Sequence, residues 1–76
     1  MKVNIKLDSI DKVRSFVNVV NRYTSDFDLI NGRYVIDAKS IMGIFSLDLS
    51  KPLVLEIHEA NNEAPALMED LKPYMG

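Results

Sequence analysis

Few side chains in this sequence could do chemistry unaided. His58 is the single histidine, cysteine is absent, and the acids that stand closest to one another in mid-chain are Asp26, Asp28 and Asp37. Without thiols, a disulfide framework, a thiolate zinc site and a cysteine nucleophile are excluded. A histidine that acts as general base or phosphoacceptor needs a neighbour to orient it. His58 stands opposite in phase to Leu55 and Ile57 in an alternating segment, so it is expected on a solvated strand face with no legible partner. Asp28 and Asp37 are likewise expected to point to solvent. A metal site needs several ligands converging on one point, and neither an Asp-rich loop nor a His pair is present, so no metal or other cofactor is expected. The glycines stand apart at positions 32, 43 and 76 and cannot form a phosphate-cradling loop. What remains is a hydroxyl beside apolar side chains, in the segment Lys39-Ser40-Ile41-Met42-Gly43-Ile44-Phe45-Ser46-Leu47. Its apolar side chains point to a chain that proteins bind rather than one that catalyses.

The elements that must position that segment follow one another closely. Val3, Ile5 and Leu7 alternate with Asn4 and Lys6 as a half-buried first strand. Asp8 or Ser9 then caps a helix in which Ile10, Val13, Phe16, Val17 and Val20 share one face. Phe27 to Ile30 and Arg33 to Asp37 flank Asn31-Gly32, which predicts a hairpin with a type I′ turn. That turn pairs Leu29 with Tyr34 and Phe27 with Ile36, turning all four toward the core. Ser40 is expected to cap a short helix through Phe45 or Ser46, and Asp48 to follow it in a left-handed conformation. Leu53, Leu55 and Ile57 mark a fourth strand. Asn61 or Asn62 is expected to cap a last helix carrying Ala64, Leu67, Met68 and Leu71 on one face, with Pro65 in its first turn and Pro73 at its end. The order is β-α-β-β-α-β-α, an α+β fold in one domain over residues 1–76, with helices on one face of the sheet and the other face wet.

Seventy-six residues leave room for one core, of marginal stability. An apolar content of 47% is enough to build it. The N-terminal alternation is unlike a signal peptide and no apolar stretch is long enough to span a bilayer, so a cytoplasmic protein without membrane contact is expected. Net charge is −2, with seven Lys/Arg against five Asp/Glu in residues 1–39 and two against six in residues 40–76. That balance argues against nucleic acid as a partner. An RNA-recognition module shares the element order, but its base-stacking third strand is not matched by Arg33-Tyr34-Val35-Ile36-Asp37. A helix as short as the one after Ser40 cannot bury Ile41, Met42, Ile44, Phe45 and Leu47 together, so part of this cluster is expected at the surface as an adaptable protein contact.

The same segment resembles the Lys-Ser-Ile-Met-Gly-x-x-Ser-Leu signature of HPr, the small phosphocarrier of the bacterial sugar phosphotransferase system. Phe16-Val17, Tyr23-Thr24-Ser25 and the hairpin extend the likeness over nearly the whole chain. The resemblance implies an open-faced β-sandwich, with a four-stranded antiparallel sheet of order 1-4-2-3. It also exposes a departure. The family's active site is His-x-Arg-Pro, and its positions fall on Ser9, Asp11 and Lys12. A serine phosphate is a stable ester where a phosphohistidine passes its phosphate on, and Asp11 brings the wrong charge, so Ser9 reads as a helix cap. Ser40 matches the family serine modified by HPr kinase/phosphorylase, and Lys39, Ile41, Met42, Gly43 and Phe45 match its docking surface. The combination is similar to that of Crh, a histidine-lacking relative that acts in carbon catabolite repression by binding the catabolite control regulator.

The leading expectation is therefore a regulatory module of the phosphotransferase-system type, not an enzyme and without phosphocarrier activity. It is phosphorylated on Ser40, docks proteins through the apolar patch, and has HPr kinase/phosphorylase and a catabolite control regulator or phosphotransferase component as its partner classes. The alternative is an HPr-fold adaptor with no phosphorylation, in which Ser40 is only a cap. The third is a true phosphocarrier using Ser9 or His58.

Overall fold

The computed structural model describes residues 1–59 and 62–75. The elements run β1 (Lys2–Ile5), α1 (Ile10–Asn21), β2 (Asp26–Asn31), β3 (Tyr34–Asp37), α2 (Ile41–Phe45), β4 (Leu53–His58) and α3 (Ala64–Leu71), closed by a 3₁₀ turn over Lys72–Tyr74. The strands form one antiparallel sheet of order β1-β4-β2-β3. One residue in two along each strand faces the helices: Ile5, Phe27, Leu29, Leu53, Leu55 and Ile57 are buried with Val13, Phe16, Val20, Ile44, Leu67 and Leu71 from the helices. Asn4, Asp28, Glu56 and His58 take the alternate positions on the open face, as the period of two requires.

Local chemistry sets the helix ends. Of the two cap candidates for α1, Ser9 takes the position, in extended conformation, with its Oγ accepting from the Lys12 N–H. The α1 face is as expected except at Ile10, which is 60% exposed because the first turn projects beyond the layer that buries Val13, Phe16 and Val17. At the other end, α3 departs from its expected cap. Asn62 sits before the helix with φ +57°, Glu63 holds the N-cap position without a capping side-chain bond, and Asn61 lies outside the described residues. Pro65 falls in the first turn, and Pro73 lies in the 3₁₀ turn where α3 has ended.

The hairpin forms in a different register from the one its sequence suggests. Leu29 pairs with Ile36 and Asn31 with Tyr34, leaving Gly32-Arg33 as the two-residue loop. Gly32 has φ +60° and Arg33 stays out of the positive region, the backbone pattern of a II′ rather than a I′ turn. The shift is even, so each side chain keeps its face. Phe27 now lies opposite Ala38, whose N–H it accepts at 2.9 Å. Tyr34 moves to the hairpin end, where it is 65% exposed instead of turned into the core.

Glu63 does its work elsewhere than at a cap. Its carboxylate accepts from the Thr24 N–H at 3.0 Å and from the Ser25 N–H and O–H at 2.8 Å each, joining the start of α3 to the exit of α1. These donors, Thr24 first, hold the carboxyl pKa down to about 2 from an ordinary 4.5. A depressed carboxylate contributes stability that is complete above its unfolded pKa and is lost as pH falls through the folded one. Thermal unfolding should therefore show the wild type losing stability between 4.5 and about 2. Glu63→Gln should be less stable near neutral pH and should respond less across that interval. A variant as acid-sensitive as the wild type there would assign the loss to other groups.

Candidate functional site

The candidate site is built on α2. Ser40, in extended conformation, accepts the Gly43 N–H with its Oγ at 3.2 Å and so starts the helix. Gly43 suits this close approach, because a Cβ there would stand 3.3 Å from Ser40 Oγ and 3.4 Å from Ile36 Cδ1, and those side chains would have to give by a few tenths of an ångström. The helix ends at Phe45, and Ser46 returns its hydroxyl to the Gly43 carbonyl. Five residues give little more than one turn, so the apolar side chains cannot share one buried stripe. Ile44 is buried, Ile41 and Leu47 are half-buried against the core, and Met42 and Phe45 are 77% and 41% exposed. Ser40 is also exposed.

Lys39 lies at the root of this segment and points inward. Its ammonium donates to the Tyr23 carbonyl at 2.9 Å and lies 5.5 Å from the centre of the Phe27 ring, a cation–π arrangement. The Asp37 carboxylate accepts the Lys39 N–H. Tyr23 is in turn held by its hydroxyl, which donates to Asp70 and whose pKa that bond raises. The position of α2 is thus coupled to the exit of α1 and to α3.

The structure brings the two sequence motifs together. A cavity of about 350 Å³ is lined by Ser9 and Ile10 on one side and by Phe45, Leu49 and Ser50 on the other. Ile10 therefore extends the exposed apolar surface from Phe45 onto the start of α1. Sequence periodicity hid this residue by assigning it to the core. Asp48 does not adopt the expected left-handed conformation, since Asn62 is the only described non-glycine residue with positive φ. Its carboxylate instead accepts the Ser50 N–H and O–H, which lower its pKa and order the loop.

His58, Asp26 and Asp28 lie apart from α2, and Asp37 stands at its root. His58 is exposed on the open face, but it has a partner there: Nε2 is 3.0 Å from Asp28 Oδ2 and 3.8 Å from Glu56 Oε1. The pairing of β2 with β4 creates this contact, which no local pattern carries. Asp28 and Asp37 face each other across the hairpin pair and Asp26 faces His58. Among the described residues, no group of three or more histidine, cysteine or acidic side chains could hold a metal ion. No described helix is long and apolar enough to cross a membrane.

A family model described as the PTS HPr component phosphorylation site matches residues 12–75. The chain belongs to the HPr family. HPr is a phosphocarrier protein of the phosphotransferase system and not an enzyme. Among solved structures, HPr-C-His from Thermoanaerobacter tengcongensis is similar with a TM-score of 0.75 and 25% identity, over 93% of this chain and 89% of that one. The phosphocarrier protein HPr from Bacillus anthracis str. Ames gives 0.73 at 24% identity over 100% and 94%, a likeness of fold. No curated protein matches the sequence. The sheet order and the helix placement expected of an HPr fold are present in full. Ser9 and Asp11 precede the matched residues, and Ser40 with its patch lies within them.

Proposed function

We propose that this HPr-family chain is a regulatory docking module that is switched by phosphorylation of Ser40 and does not carry phosphate between proteins. The observation that carries the reading is the juxtaposition on α2 of an exposed capping hydroxyl and an exposed Met42, with Phe45 one turn on. A thioether and a ring presented this way suit adaptable contact with a protein surface. A phosphate on Ser40 would add about −1.5 to −2 of charge beside that surface. It would repel partners that need a neutral patch and recruit those that offer arginine or lysine. Lys39 cannot neutralise it without leaving Tyr23. HPr kinase/phosphorylase is the modifying partner this reading requires, and a catabolite control regulator or a phosphotransferase component is the docking partner, in the manner of Crh. The cytoplasm is where these proteins would meet. The absence of carrier activity rests on Ser9, whose hydroxyl is an ester-forming group occupied as a cap.

Incubation with ATP and HPr kinase/phosphorylase, followed by mass-spectrometric mapping, tests the switch. One phosphate is expected on Ser40 and none on Ser40→Ala. No modification, while a control HPr in the same tube is labelled, would sink the switch and leave a plain adaptor.

A further inference from the structure

We propose that the groove at the hairpin end binds a small organic oxyanion with a flat apolar body, of the aryl phosphate class. The groove is about 650 Å³, and Arg33 and Tyr34 on the hairpin face Leu47 and Lys51 on the loop before β4. That volume falls in the range of small-molecule sites. The two walls are tied together, since the Asn31 side-chain amide donates to the Asp48 carbonyl at 3.3 Å.

The lining carries its own selectivity. Among the described residues neither Arg33 nor Lys51 makes an ion pair. Lys51 lies near enough to Asp48 to help Ser50 lower its pKa, and Arg33 is the cation left for a ligand's oxyanion, with the Lys51 ammonium adding to the local positive field. Asp48 is the one carboxylate in the lining, and the Ser50 N–H and O–H both bind its Oδ1. Two cations against one engaged carboxylate make the groove locally positive in a protein of net charge −2. A guanidinium fork fits a phosphate or carboxylate edge, and an ammonium adds a point charge. The largely exposed Tyr34 ring offers a face for stacking, with Ile36 and Leu47 as half-buried apolar lining. The groove shares no lining residue with the Ile10, Met42 and Phe45 surface and does not depend on phosphorylation of Ser40.

Amide chemical shifts of the unphosphorylated protein, titrated separately with phenyl phosphate, phenol and inorganic phosphate, test the site. Phenyl phosphate should give saturable shifts at Arg33, Tyr34, Leu47 and Lys51, with a Kd of roughly millimolar order for a ligand this small. Phenol and inorganic phosphate should each bind about tenfold or more weakly, having lost one of the two contact types. The double variant Arg33→Ala/Lys51→Ala should also lose about tenfold or more. Both side chains are exposed, so unchanged β1 and β4 resonances should show that the variant is folded. Failure of phenyl phosphate to saturate, equal binding of phenol or inorganic phosphate, or wild-type affinity in the folded double variant would each overturn the proposal.

Discussion

Phe16→Ala is expected to leave the domain largely unfolded at room temperature. Phe16 is fully buried on α1, and its ring meets Tyr74 edge-on, with centroids 5.7 Å apart and planes at 77°. Tyr74 is itself anchored, since its carbonyl accepts the Lys6 N–H at 2.7 Å. The contact therefore joins α1 to the 3₁₀ turn and, through it, to the chain leaving β1. Truncating a buried phenylalanine costs about 3–5 kcal/mol, from lost transfer energy and the cavity left behind. The edge-on pair adds about 0.5–1.5 kcal/mol beyond its buried area. A core in a domain this small rarely supplies more than about 3–5 kcal/mol of net stability, so one substitution cancels most of it. Urea titration followed by far-ultraviolet circular dichroism would show no folded baseline. Phe45→Ala should melt close to the wild type, because its ring is 41% exposed on a helix end and leaves no closed cavity. A cooperative Phe16→Ala transition near that of the wild type would show that the core collapses around the gap.

How much could be read from the sequence depended on the range of the interaction that fixed each feature. Alternation in β1 and β4 and the caps at Ser9 and Ser40 are local, and they are present as expected. The hairpin was legible in place and in face but not in register. Asn-Gly suits a I′ turn, yet β2 pairs on its other side with β4, where Leu29 meets Leu55. The turn moved on by one residue, so that only Gly32 takes a positive φ. Ile10 shows the limit of helical periodicity, which reports a face but not whether another layer reaches that far along it. The contacts that organise the site are longer in range. Lys39 meets Tyr23, Glu63 meets Thr24 and Ser25, and His58 meets Asp28, and each pair is set by sheet order and helix placement. The Lys-Ser-Ile-Met-Gly motif located the surface but gave no sign that its lysine points inward.

Restoring three side chains at the start of α1 is expected to produce a phosphoacceptor where the wild type has none. Incubated with phosphoenolpyruvate and Enzyme I, the wild type should take no phosphate. The triple variant Ser9→His/Asp11→Arg/Lys12→Pro should take one on the introduced imidazole, as acid-labile label at least about a hundredfold above background. Among the described residues no base accepts from the Ser9 hydroxyl, which itself accepts the Lys12 N–H. The neighbouring Asp8 carboxylate is 3.3 Å from the Lys12 ammonium, which lowers its pKa and makes it a weaker base. Asp11 stands in the first turn, where a negative charge favours the helix but repels an incoming phosphate. An arginine there reverses that term and offers a fork to the phosphate oxygens. The backbone tolerates the third change. Among the described residues the Lys12 N–H bonds the Ser9 hydroxyl that is being replaced, and the first helical turn accommodates proline. His58 serves as an internal control. It lies on the open face of the sheet while the helices cover the other, so His58→Ala should leave labelling of the triple variant unchanged. Labelling of the wild type at Ser9 or His58 would return the protein to the carriers. A folded triple variant that stays unlabelled would place the incompatibility with Enzyme I on the docking surface. Carrier duty would then have been lost through more than the missing imidazole.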